Sequence, residues 1–362
     1  MMEVPSMFNC SNDMALAANV RQYVPPKRIR QMEADLADLA RVWEDTHMAG
    51  PWGWSLATKQ RYRQMGVAEE ALPTDKWLEE VRRLSSREFA WFYLKQLLGT
   101  LKDVNLLGWE MKFWNKMPAA WNDDVKLNSG TGREASVKKS YPRGAQCRSR
   151  GVRHAVAEGC ASEKKEQERE MHDALSIFKS PWSSSGRGVF VGNWNDARTQ
   201  AKVQGFLSSQ GGFVVDRFYE DKVLDFAMEF FVHADHTVEF LGYSVFHAGE
   251  HGAYGYNYVE SQEELLRRID VDAALLHRLI AYHKEHLAKT AYHGPVGIDM
   301  LKTADDSIHP CLEINLRLNM GILALLLHEQ YGSGATVALT PVREHGFQAL
   351  VEDGRLVILS EK

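Results

Sequence analysis

Residues 297–317 read GIDMLKTADDSIHPCLEINLR, and this stretch decides how the rest of the chain is understood. Two apolar runs flank Asp305-Asp306, a turn signal, so the stretch reads as a strand, a turn and a second strand. The first strand, over 296–302, carries Asp299. The second, over 311–314, carries Glu313 and runs into Asn315. Side chains on a strand repeat every two residues, so Glu313 and Asn315 share a face. Charged groups flanked by Ile298, Leu312 and Ile314 are costly to bury without a cation. Hard oxygen donors spaced in this way suit magnesium bound together with the phosphates of a substrate. A solvated hairpin edge is the plainer reading, but it sits poorly with strands whose other residues read as core.

Working upstream, residues 178–188 read FKSPWSSSGRG: a strand ending in Lys179, a loop of small residues, and a second strand over 188–191. Small residues let backbone N–H groups converge on an anion, and Lys or Arg adds charge, which makes phosphate the natural ligand. The order GxxxxGK[ST] and its following helix are absent, so this is not a Walker A loop. A flexible hairpin with solvated serines is the competing reading. A third segment, VVDRFY at 214–219, is an apolar strand that runs through a short polar connector to Asp225. It reads as a simple connector or as a hinge that receives a flat ring while an acid meets a sugar hydroxyl.

Between these segments the periodicity predicts strands at 174–179 and 212–218, with a helix over 196–209 capped by Gly211-Gly212. Antiparallel-looking strands follow at 225–232 and 237–246, then one long helix over 263–291. A helix over 316–331 and a tail alternating around the turn signal Asp353-Gly354 complete the chain. Residues 1–121 read as a helical region rich in Trp. They include an amphipathic stretch at 30–43, helix starts at Pro73-Thr74-Asp75 and Ser85-Ser86, and breaks at Pro25-Pro26 and PWGW, 51–54. From 126 to 170 the composition collapses: Leu127 is the only Leu, Ile, Phe, Met or Trp; between 126 and 154 Lys126, Arg133, Lys138, Lys139, Arg143, Arg148, Arg150 and Arg153 face the single acid Glu134, and the piece that follows turns mixed and acidic. Such a stretch buries too little apolar surface to offset chain entropy and reads as a basic, low-complexity insertion. A nucleic-acid arm is the sharper alternative, weakened by the lack of aromatics for stacking.

The order of these features is itself informative. A strand with Lys, a Ser/Gly loop, a strand, a helix, a hinge acid, two strands, a helix, an Asp strand and a Glu-x-Asn strand together resemble the ATP-grasp superfamily. FKSPWSSSGRGV, VVDRFYEDKVLDFAMEFF, GPVGIDML and PCLEINLRLNMG carry the likeness across 174–320. FNCSNDMALA, PWGW, LPTD and LSSREFA are similar to pieces of a poorly characterised bacterial ATP-grasp group, carboxylate-amine ligase-like in kind. The chain departs from that group at Cys10 and Ser11, where the group tends to carry Pro and Glu.

The resemblance implies an α+β ATP-grasp fold, two α+β subdomains clasping ATP, preceded by a mainly helical or α/β N-terminal domain. It divides the chain into 1–121, the insertion 122–171, a lid subdomain 172–218 and a magnesium-bearing subdomain 219–362. Lys179 would contact the α- and β-phosphates of ATP. Ser183, Ser184, Ser185, Gly186 and Gly188 would form the phosphate lid, with Arg187 adding charge. Asp216, Arg217, Phe218 and Tyr219 would form the adenine hinge, and Asp225 would meet the ribose. Asp299, Glu313 and Asn315 would hold Mg2+, and Arg317 would stabilise the transferred phosphate or an acyl phosphate, since guanidinium spreads charge over several oxygens. The implied activity is an ATP- and Mg2+-dependent joining of a small-molecule carboxylate to an amine or similar nucleophile through an acyl phosphate. Direct phosphoryl transfer on the same fold and a nucleotide-binding protein without turnover are the alternatives.

The 362 residues, 44% hydrophobic, suit two or three well-cored domains. A net charge of -5 argues against a dedicated nucleic-acid or anionic-membrane binder. Four scattered cysteines without a CxxC pair suggest a reducing cytoplasm. No apolar run is long enough to span a bilayer, the start lacks a signal peptide's pattern, and a homo-oligomer is compatible with the composition. The pairs His233/His236, His247/His251 and His283/His286 match no HExxH motif and read as surface or supporting residues. The loop GEHGAYGYNY, 249–258, is either a cover over the acceptor substrate or a hairpin loop. Trp52 and Trp54 read as core and Arg87 as a surface residue, with a pocket between regions as the sharper option.

Overall fold

A computed structural model describes residues 4–117, 175–183, 188–249 and 254–338, together with four short backbone strands between 341 and 357. The expected insertion, the turn residues Asp353-Gly354 and the loop residues Ser184, Ser185, Gly186 and Arg187 lie outside the described residues.

The first region is helical where its caps dictate. Thr74 caps α5 (Asp75–Leu84) and Ser86 caps α6 (Arg87–Thr100), each side chain accepting a hydrogen bond from the third residue on. Before them stand α1 (Asn12–Ala18), α2 (Lys27–Asp35), α3 (Arg41–Glu44) and α4 (Leu56–Gln64). The amphipathic stretch at 30–43 is not one helix: a turn of 3-10 helix at Ala37–Ala40 separates α2 from α3. That kink still points Leu36, Leu39, Ala40 and Trp43 into one buried cluster with Phe8, Met48 and Trp52. The region also contributes a strand that periodicity does not show, β1 (Lys112–Trp114).

β1 joins β2 (Ser176–Lys179), β3 (Val189–Gly192) and β4 (Phe213–Arg217) in an antiparallel sheet of order β1-β4-β2-β3. α7 (Ala197–Gln210) ends at Gly211 in the left-handed conformation, φ 78, as expected of that cap. Phe178, Trp194, Val203, Phe213 and Val215 form the core between helix and sheet.

The second sheet has order β10-β7-β6-β5-β8-β9 and is antiparallel throughout. Its strands are β5 (Lys222–Val232), β6 (Val238–Ala248), β7 (Tyr254–Val259), β8 (Gly294–Thr303), β9 (Ile308–Asn315) and β10 (Ala335–Val337). The single helix expected over 263–291 is two: α8 (Gln262–Ile269) and α9 (Ala273–Leu287). Asp270 closes the first in a left-handed conformation, φ 46, and the Asp272 side chain caps the second, so local Asx chemistry overrides the apolar period. α10 (Met320–Tyr331) begins four residues later than expected, because Asn319 caps it through the Ile322 N–H. The short pairs β11 (Pro341–Val342) with β12 (Gly346–Phe347), and β13 (Leu350–Glu352) with β14 (Arg355–Val357), finish the described chain. The last pair flanks the expected turn.

One core runs from α5 and α6 through β5 and β8 to α9, with Leu94, Leu97, Phe226, Phe230, Leu279 and Ile298 fully buried. Each such side chain stabilises the fold by roughly 2 kcal/mol relative to exposure. α6 and α9 therefore cover one face of the large sheet.

Candidate functional site

The acidic hairpin forms as its sequence dictates. Asp299 on β8 and Glu313 on β9 are direct cross-strand partners, and Gly297 opposes Asn315. Asn315 Nδ2 donates to Asp299 Oδ2 at 3.1 Å. Burial, then the neighbouring Glu313 and Glu229 carboxylates, push the Asp299 carboxyl up to about 8. Ionising Asp299 beside these carboxylates is therefore disfavoured unless a cation joins them.

Lys179 ends β2 and is buried; burial, opposed by Asp216, lowers its pKa. Its diagonal neighbour across β2 and β4 is Asp216, whose Oδ2 lies 3.9 Å from Nζ. Burial would raise the Asp216 carboxyl, but His309, Lys179 and the Arg217 N–H together hold it below the usual range.

Arg87 joins these two elements. It is 4% exposed, not a surface residue, and it is the first residue of α6. Its Nη1 donates to the Ser180 carbonyl at 2.7 Å and to Ser183 Oγ at 2.6 Å, while Nη2 donates to Glu313 Oε2 at 2.8 Å. One guanidinium thus ties the lysine-led turn to the acidic hairpin. The signal was present as a charged residue directly after the N-cap Ser86, but spacing alone does not reveal a partner 226 positions away.

A cleft of about 940 Å3 is lined by Lys179, Ser183, Asp216, Arg217, Phe218, Tyr219 and Asp225 from one side, and by Asp299, Glu313, Asn315 and Arg317 from the other. Every described residue that the resemblance assigns to nucleotide, metal or transferred phosphate lines it except Gly188. That glycine stands at φ 70 beside the cleft-lining loop, where a Cβ would come 2.4 Å from Ser180 Oγ. Asp225 pairs with Lys222 at 2.6 Å, and burial raises its carboxyl. Arg317 is held by Asp13, its Nε donating to both carboxylate oxygens at 3.0 Å, and its Nη2 donates to Asn315 Oδ1 at 2.9 Å. The cleft reaches further than expected, to Cys10, Met14, Ile29 and Met32 of the first region. Trp52 also lines it and is buried in the core, while Trp54 packs on Tyr62.

Two participants were not read from sequence. Glu229 on β5 is buried at the cleft floor, its oxygens accepting from Ser244 Oγ at 2.7 Å and Asn319 Nδ2 at 2.8 Å; burial, moderated by those bonds, pushes it up to about 7. His309 is fully buried beside Asp216. Neither belongs to a recognisable spacing.

The donor set fits a hard cation. Arg87 and Asn315 each occupy one oxygen of Glu313 and of Asp299, so each carboxylate keeps a second oxygen for a cation, beside the Asn315 amide oxygen. Among the described residues no group of three His, Cys, Asp or Glu side chains is placed to hold a metal by itself, so an ion here would depend on substrate oxygens as well. Among the described residues the histidines join no metal-binding group, and His251 lies outside them. His233 meets Glu239 at 3.3 Å, His283 is buried, and His247 lines the cleft. Of the tyrosine loop, Gly249 and Tyr254 line the cleft.

No family model matches the chain, and no curated protein matches it. Solved structures do. N5-carboxyaminoimidazole synthetase from Staphylococcus aureus, complexed with ADP, is 8% identical with a TM-score of 0.44, over 90% of this chain and 78% of that one. L-amino acid ligase from Bacillus licheniformis is 11% identical with a TM-score of 0.39, over 76% and 49%. Biotin carboxylase from Campylobacter jejuni is 15% identical with a TM-score of 0.34, over 52% and 43%. The chain spans less than half the length of the last two. Within this chain, the described elements form two antiparallel sheets with helices, and residues of both sheets line one cleft. No helix among the described residues is long and apolar enough to cross a membrane.

Proposed function

We propose that this chain is an ATP- and Mg2+-dependent ligase that joins a small-molecule carboxylate to an amine through an acyl phosphate. The observation that carries the reading is the Arg87 bridge, which sets the Lys179 turn and the Asp299/Glu313 hairpin on one cleft. In this reading 172–218 acts as the lid and 219–362 as the metal-bearing subdomain. Mg2+ held by Asp299, Glu313 and Asn315 would neutralise phosphate oxygens. Lys179 binds the α- and β-phosphates, with Ser183, Gly188 and the loop residues Ser184, Ser185, Gly186 and Arg187 around them. Asp216, Arg217, Phe218 and Tyr219 seat the adenine, and Asp225 meets the ribose.

The substrate carboxylate oxygen bonds to the γ-phosphorus as the bond to the β,γ-bridging oxygen breaks, giving ADP and the acyl phosphate. The amine nitrogen then bonds to the carbonyl carbon, phosphate leaves, and the nitrogen loses a proton. In this reading Arg317, which Asp13 holds in place, meets the charge that collects on the transferred group. The protein's part is mainly positioning and charge neutralisation. The test is ADP release in mixtures of ATP, Mg2+, carboxylates and hydroxylamine. A hydroxamate is the expected product; ADP with a stable phosphorylated product and no hydroxamate would show direct phosphoryl transfer instead.

A further inference from the structure

His309 sits on β9, inside the hairpin stretch but with no role assigned to it above. It is 0% exposed, and its Nε2 lies 3.2 Å from Asp216 Oδ2. The two atoms face each other at contact distance without hydrogen-bond alignment. The other oxygen of Asp216, Oδ1, accepts the Arg217 N–H at 2.9 Å. Oδ2 therefore lies between the His309 imidazole at 3.2 Å and the Lys179 ammonium at 3.9 Å, the latter beyond hydrogen-bond distance. The imidazole cannot easily withdraw. Tyr219 packs edge-on against it at 6.0 Å, and Gly108 lies so close that a Cβ there would stand 2.6 Å from Nε2.

A buried carboxylate beside a buried ammonium should close onto it, because in a weakly screened interior that attraction is strong. Here it does not close, and the competing group is the histidine. We propose that His309 is a positioning residue for Lys179: by engaging Asp216 Oδ2 it keeps that carboxylate from capturing the ammonium, which stays directed to the nucleotide phosphates in the cleft. The inference rests on the reading of Lys179 as a phosphate ligand.

Equilibrium binding of MgADP to the full chain tests it, with thermal melting to confirm folding. His309→Leu removes the competitor, and His309→Asn is too short to reach Asp216; each is expected to weaken MgADP by about tenfold and to raise KM for ATP more than it lowers kcat. His309→Gln, whose amide N–H reaches Oδ2, is expected to stay within about threefold of the parent. In an Asp216→Asn background, His309→Leu is expected to add nothing, because the anion being competed for is gone. Parent-like affinity in both His309→Leu and His309→Asn, or an equal loss in the Asp216→Asn background, would overturn the proposal. Should Lys179→Ala itself bind MgADP like the parent, the site reading fails instead, and the two failures are distinguishable.

Discussion

Lys179 is the residue on which nucleotide binding turns. A buried ammonium facing phosphates forms charge-assisted bonds that a neutral side chain cannot replace. Lys179→Ala is expected to weaken MgADP by on the order of 100-fold in calorimetry while leaving the melting temperature near the parent's, since it relieves burial of a charge. His283 gives a residue-scale test of stability. It is fully buried, its Nδ1 meets the Tyr93 hydroxyl at 2.8 Å, and burial, then the neighbouring His286, lowers it from 6.5 to about 3. A folded pKa below the unfolded one means that the unfolded chain takes up the proton first. The neutral imidazole's contribution is therefore complete above about pH 6.5 and is lost as pH falls toward 3. Urea unfolding at about pH 7 and about pH 4.5 should show the parent losing roughly 2 to 3 kcal/mol more than His283→Asn. Equal losses in the two proteins would remove the argument.

At the scale of elements, the strands and caps with explicit chemistry were legible and the compromises were not. β2, β4, β5, β8 and α7 lie where period and turn residues put them. The long helix over 263–291 fails because Asp270 and Asp272 hydrogen-bond locally and outweigh apolar spacing. β1 was missed because a three-residue strand carries too little pattern and exists only through its pairing with β4. Asn319 shows how one cap serves two purposes: its Oδ1 accepts the Ile322 N–H at 2.8 Å, and its Nδ2 donates to Glu229 at 2.8 Å. Asn319→Ala removes both and leaves a buried carboxyl short of a donor, so a loss of about 2 to 4 kcal/mol is expected in denaturant unfolding. A change under about 0.5 kcal/mol would mean that α10 is not anchored there. Gly108, at φ +97, is a second element-scale test: a Cβ would also stand 2.9 Å from Leu94 Cδ2. Gly108→Ala should cost about 2 kcal/mol or more through backbone strain and crowding.

For the whole molecule, the sequence named residues on both walls of the cleft but not what joins the walls. Lys179 and Asp299, Glu313 and Asn315 stand out by local pattern, whereas the 216–219 segment reads as a connector until the resemblance gives it a role. His309 and Glu229 do not stand out, and Arg87 entered only as an optional pocket-lining residue beside Trp52, because their partners lie far away in the chain and are brought near by burial, neither of which a spacing records. The direct test of one shared cleft is calorimetric binding of ADP with and without Mg2+ to the parent, to Lys179→Ala, and to the double variant Asp299→Asn, Glu313→Gln. If both elements hold the same metal-bound nucleotide, Mg2+ tightens ADP binding at least tenfold in the parent, Lys179→Ala weakens binding but keeps the Mg2+ effect, and the double variant loses it. ADP binding that is indifferent to Mg2+ in the parent, or a Mg2+ effect that survives in the double variant, would contradict it.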